Sequence, residues 1–310
     1  MSESISEFTI VSLVEKCGWA VSSMQGGWFL THPQSQQIVF MSITPHWLCL
    51  SSHVKGQSRG TLAERVAYLQ HLLQCNERMF MARFSLDIDD NTLLMAEIPL
   101  KIFSFPLLNK ALGSLSHYAD TSTFEKLDPE PAAARLSKLR ARYEITNSQE
   151  SDVEAGISKE AFRLHMSRLG SNWGTRGELL AFPWHIGYKN ILRIFEVYCT
   201  ISRNWASFQV PLLLDQVETV LSANLQEQAF FMEYLLRLSE TWFVAKPGIN
   251  TNKQVLLLLE LPTEALDFSL LQFMTRTIST YIDRYGQEIQ IMAALQQDTR
   301  LIELLHSSIC

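Results

Sequence analysis

The sequence predicts an α+β protein made of two tandem units, each an antiparallel sheet packed with helices. Three observations carry that expectation. Glu77 to Asp120 aligns without a gap on Glu240 to Asp283, at a constant offset of about 163 residues, far above the roughly 20–50 residue period of solenoid arrays. The identities fall at structurally telling places: Glu77/Glu240, Phe80/Phe243, Ala82/Ala245, Leu93/Leu256, Leu94/Leu257, Glu97/Glu260, Pro99/Pro262, Phe105/Phe268 and Tyr118/Tyr281. Helical and strand patterns alternate in mixed order with hairpin turns between strands, which favours antiparallel pairing.

Each unit reads helix, three strands, helix, two strands, helix. In the first, Phe8 to Lys16 is a short helix with Ile10, Leu13 and Val14 on one face. Cys17-Gly18 closes it, since glycine tolerates the left-handed turn after a helix. Gly26-Gly27 and Pro33-Gln-Ser35 punctuate a meander. Trp28 to Leu30, Ile38 to Met41 and Trp47 to Leu50 have the aromatic and branched composition of strands. Leu62 to Cys75 places Leu62, Val66, Leu69, Leu72 and Leu73 at helical spacing. Met79 to Leu86 and Thr92 to Ile98 form a hairpin around the acidic turn Asp87 to Asn91. A helix from about Ser104 to Asp120 closes the unit, with Ser104 as its cap and Pro106 in its first turn.

The second unit repeats this order. Its helices are expected at Lys159 to Leu169, at Val217 to Leu236 and after the cap Asp267. Its strands are expected near Leu179–Phe182, Ile191–Cys199 and Trp205–Leu213, with a hairpin of Trp242–Lys246 and Val255–Leu261. A helical tail from Ile289 to His306 has no counterpart in the first unit. The boundaries follow: residues 1–122 form the first repeat, 123–157 a linker with a short basic helix, and 158–310 the second repeat with its extension.

Composition narrows the function classes. An apolar share of 47% over 310 residues suits two folded domains rather than a disordered chain. The net charge of −6 argues against a generic nucleic-acid binder. The five cysteines are scattered and odd in number, so neither a disulfide framework nor a zinc ligand set is visible. The acidic, polar start is unlike a secretory signal, and no apolar run reaches the length of a membrane span. A cytoplasmic protein is expected.

The strand Met79-Phe-Met-Ala-Arg83, a polar turn, and a leucine-rich strand ending Glu97-Ile-Pro99 resemble YbjN-like sequences. Trp242-Phe-Val-Ala-Lys246 and Glu260-Leu-Pro262 occupy the same places in the second unit. The order of elements is similar to the fold shared by YbjN-like proteins and type III secretion chaperones. That resemblance implies binding of an extended client segment without enzymatic activity. It also implies a tandem chain acting as a covalent version of a homodimer.

No motif names a reaction. Glu97 and Glu260 are expected to cap the following segment or face water, as surface carboxylates do. Asp87, Asp89 and Asp90 lack the glycine and bidentate glutamate of a calcium loop, and the equivalent Asn250 to Lys253 has no acid. His46 and His185, each beside a tryptophan, read as packed residues. Gly174-Thr-Arg-Gly177 lacks the lysine and spacing of a phosphate cradle. No catalytic residue, metal or cofactor is therefore expected. The candidates for partner binding are aromatic and basic. Trp28, Trp47, Trp184, Trp205 and Trp242 lie in or beside strands and could line an open sheet face or the groove between units. Arg135, Lys138 and Arg142 share one face of the linker helix and could hold RNA or an anionic membrane surface. The expected function is a protein-binding chaperone or assembly factor that captures apolar client segments, as a monomeric pseudo-dimer or a homodimer. A scaffold that binds through the basic linker is the alternative.

Overall fold

A computed structural model describes residues 6–54, 60–119, 159–169, 174–176, 179–188, 191–201, 205–212, 224–250, 254–263, 266–286, 288, 289 and 292. The fold is mixed α+β, with two antiparallel six-stranded sheets and six α-helices among these residues. The first module runs α1 (Glu7–Lys16), β1 (Ala20–Met24), β2 (Gly27–Thr31), β3 (Ile38–Ile43), β4 (Trp47–His53), α2 (Leu62–Arg78), β5 (Ala82–Leu86), β6 (Thr92–Pro99) and α3 (Phe105–Tyr118). The second runs α4 (Lys159–Arg168), β7 (Gly174–Arg176), β8 (Leu179–Tyr188), β9 (Ile191–Ile201), β10 (Trp205–Pro211), α5 (Leu225–Thr241), β11 (Ala245–Ile249), β12 (Val255–Pro262) and α6 (Phe268–Tyr281).

The sheet orders are β1-β2-β3-β4-β6-β5 and β7-β8-β9-β10-β12-β11, so the two modules share one topology. From α2 and α5 onward the elements coincide residue for residue at the offset of the sequence repeat. Each meander has four strands, not the three expected. The additional strand, Ala20–Met24 in the first module, is exposed along most of its length. It lacks apolar alternation and is defined instead by a two-residue turn, where Gly26 takes φ +88°. The long helix of the second module begins at Leu225 rather than near Val217. Asn224 sets that start, because its side chain accepts from the Glu227 amide. Ser104 and Asp267 cap α3 and α6 as expected, and Thr61 with Glu64 forms a capping box that opens α2.

The modules meet through α2, α5, β5 and β11. The two helices pack along each other, and each lies on the other module's terminal strand. Strands β5 and β11 end their sheets yet are buried along their whole length, because a helix from the opposite module covers each edge. One continuous apolar cluster takes in both modules, from Ile10 and Leu72 to Leu235 and Ile278. Gly248 makes the fit close. A β-carbon built there would stand 3.1 Å from the Glu77 backbone nitrogen of α2.

Candidate functional site

Two regions bring polar or aromatic groups together. The first is the seam between the modules. Arg83 on β5 forms a two-pronged ion pair with Glu97 on β6, and its Nε donates to the Ser239 carbonyl of the other module at 2.7 Å. At the equivalent positions Lys246 donates to Glu260 at 2.7 Å and to the carbonyls of Met79 and Ala82 across the seam. All four charged side chains are buried. This corrects the expectation for Glu97 and Glu260, which neither cap a helix nor face water. Proline follows each at two residues, but the buried cation on the neighbouring strand fixes its role.

The seam is reciprocal in its aromatics as well. Phe80 stacks on Trp205, with ring centroids 4.6 Å apart, and Phe243 stacks on Trp47 at 5.0 Å. The tyrosine ending α3 accepts from the Phe80 amide at 3.3 Å, and Tyr281 accepts from that of Phe243 at 2.8 Å. Met81 and Val244, the next residues, both hold left-handed backbone at φ +58° and +63°. Non-glycine residues there cost about 1–3 kcal/mol each and persist only where packing over-determines them. A cavity of about 20 Å³ lies among Arg83, Glu97, Lys246 and Glu260, room for about one water molecule. Mutually paired charges around so small a space are suited to fixing geometry.

The second region is the more exposed face of the first sheet. Strand alternation places Ser22, Phe29, Phe40 and Ser51 side by side across four strands. Phe29 and Phe40 meet edge to face at 5.9 Å. Phe29 is 40%, Met24 41% and Ile38 56% exposed. With Phe40, His53 and Leu93 they line an open concavity of about 1230 Å³. Its rim is held by polar bonds, one of them to α3. Gln37 donates to the Leu115 carbonyl at 3.3 Å, and Gln36 to that of Pro33 at 2.8 Å.

The expected partner-binding residues scatter. Trp28 packs against the core on the helix side, and Trp242 is buried against Tyr281 and Tyr285. Trp47 and Trp205 are seam residues, so these four rings serve the fold rather than an open groove. The side chain of Trp184 lies outside the described residues, as do Arg135, Lys138 and Arg142. The residues that do line the open face were not singled out from the sequence. Their signal is Phe29 and Phe40 at alternating positions of neighbouring strands.

Two thiols of the first module are held in unreactive states. Burial pushes the Cys75 thiol far up and draws neighbouring His71 down, although the two lie 3.5 Å apart. Burial also raises Cys49 to about 11, assisted by the charge of Glu97. Such thiols are poor nucleophiles near neutral pH. Among the described residues no cluster of histidine, cysteine or carboxylate could hold a metal ion, and no helix is long and apolar enough to cross a membrane. No family model matches the chain, and neither a curated protein nor a solved structure matches it.

Proposed function

We propose that the protein is a non-enzymatic binding factor that holds an extended, apolar segment of a client protein on the exposed face of its first sheet. The observation that carries this reading is the contiguous exposure of Met24, Phe29 and Ile38 beside half-buried Phe40. Large apolar side chains gathered in one concave patch mark interaction sites. Edge strand β1 borders the patch, and among the described residues no strand pairs with its outer side. An extended client could therefore add backbone hydrogen bonds along β1 while its alternate side chains meet Met24 and Phe29. Each apolar side chain buried there would contribute about 1.5–3 kcal/mol before ordering costs, which suits reversible capture. The resemblance to type III secretion chaperones points to the same mode of action.

The test is suppression of aggregation. Light scattering of an unfolding model protein should fall in the presence of the wild-type chain. The Phe29→Asp/Ile38→Asp variant should lose most of that protection while keeping its unfolding midpoint. Equal protection by the variant would remove this face from the mechanism.

A further inference from the structure

The seam is duplicated in its buried parts and unequal in its charged rim, and the inequality has a direction. On one side, Arg65 of α2 binds Glu233 of α5 at 2.6 Å and approaches Asp90 at 3.5 Å. Arg237 of α5 also pairs with Asp90, and it donates to the Asp87 carbonyl at 2.9 Å. Asp90 itself stands at φ +64° at the tip of the β5–β6 turn. That turn is pre-shaped, because Asp87 accepts from the amides of Asp89 and Asn91 at 2.9 and 2.8 Å. The four charges thus alternate in sign across the boundary, two from each module.

The repeat supplies the comparison. Gln228 stands where Arg65 stands, Gln70 where Glu233 stands, Gln74 where Arg237 stands and Lys253 where Asp90 stands. Two first modules joined through the same seam would set Asp90 against Gln74 and Arg65 against Gln70. Two second modules would set Glu233 against Gln228 and offer Arg237 no aspartate, since the aligned residue is a lysine. Only the pairing of unlike modules completes the cluster. The shared parts of the seam do not discriminate in this way, since both modules carry the ring stack and a buried cation–carboxylate pair.

We propose that the Arg65–Glu233–Arg237–Asp90 cluster is a pairing-specificity device: the seam face of each module fits the opposite module of this chain better than a second copy of itself. Specificity is a difference between pairings. Like pairing between copies would also leave seam faces unfilled and link molecules into open-ended chains. The cluster opposes that outcome and keeps the closed intramolecular pair.

The experiment uses the whole chain, with a protease site placed within residues 146–152 and cut after folding. Nicked protein is mixed with an isotope-labelled nicked copy and weighed by native mass spectrometry. The expected result is that every particle holds one fragment of each kind, with like pairs below about a tenth of the total. Replacing Asp90→Lys alone should raise like pairs or free fragments several-fold. Adding Arg237→Asp to that variant should restore unlike pairing. Like pairs at their statistical share, separation into single fragments, or precipitation after cleavage of the wild type would each overturn the proposal.

Discussion

Phe80 of the first module lies on Trp205 of the second, with the ring planes 12° from parallel. The reciprocal stack, Trp47 with Phe243, is 24° from parallel and also touches Phe273. Both members of the first stack are buried. Trp205→Ala is expected to cost about 3–5 kcal/mol. A double-mutant cycle with Phe80→Leu and Trp205→Leu should give a coupling of about 0.5–1.5 kcal/mol. Urea unfolding measures both values, and additive effects would mean that the rings are merely adjacent.

The buried ion pairs predict an asymmetry between single and double changes. Glu97→Ala leaves the buried Arg83 guanidinium without its carboxylate, and should lower stability by about 3–5 kcal/mol. Arg83→Met combined with Glu97→Leu removes both charges and should recover most of that loss. Lys246→Met with Glu260→Leu should behave alike. Denaturant midpoints decide the matter: a double variant as unstable as the single one would show that shape, not charge, was lost.

Close approach at Gly248 gives a third expectation. A valine there would press carbon atoms against the Leu258 side chain and the backbone of α2 at Glu77. Overpacking of this kind costs about 1–3 kcal/mol. Gly248→Val should therefore lower the midpoint, whereas valine at Ser22, on the exposed edge strand, should leave it nearly unchanged.

Glu240 supplies a pH dependence. Burial and the nearby charge of Asp87 raise its pKa above the ordinary value, against the opposing pull of Arg237. A carboxyl whose pKa is higher in the folded state destabilises that state once ionised. Glu240→Gln should therefore raise the thermal midpoint at neutral pH. The gain should shrink as pH falls through the raised pKa of Glu240 and vanish below the ordinary glutamate pKa of 4.5. A gain that persists at pH 3, or an effect of opposite sign at neutral pH, would contradict the assignment.

Much of the fold was legible because it rests on local chemistry repeated twice. Helix caps at Ser104 and Asp267, the hairpin turn at Asp87, and the leucine-rich strands before Pro99 and Pro262 all announce themselves over a few residues. The β1 strand did not, because its partner rather than its own composition makes it a strand. The seam was legible only in part. The repeated Phe80/Phe243 and Glu97/Glu260 are seam residues, and the alignment displays them. Arg83 and Lys246 lie across the same hairpins from Glu97 and Glu260, but the ring partners Trp47 and Trp205 belong to the opposite module, and no sequence spacing reveals a contact across so long a stretch of chain. The place of the tryptophans was hidden for the same reason. A ring on a strand can face its own helices, as Trp28 does, or another module, as Trp205 does.

Because β5 and β11 are sealed beneath the opposite module's helices, the margins left unpaired among the described residues lie at the far ends of the two sheets, on β1 and β7. With strands spaced about 4.8 Å apart, β1 stands about 24 Å from β5, counted across the five intervals of its sheet. Whatever extends these sheets must dock at the periphery, where the ladder of hydrogen-bonding groups can lengthen without prising the two halves apart.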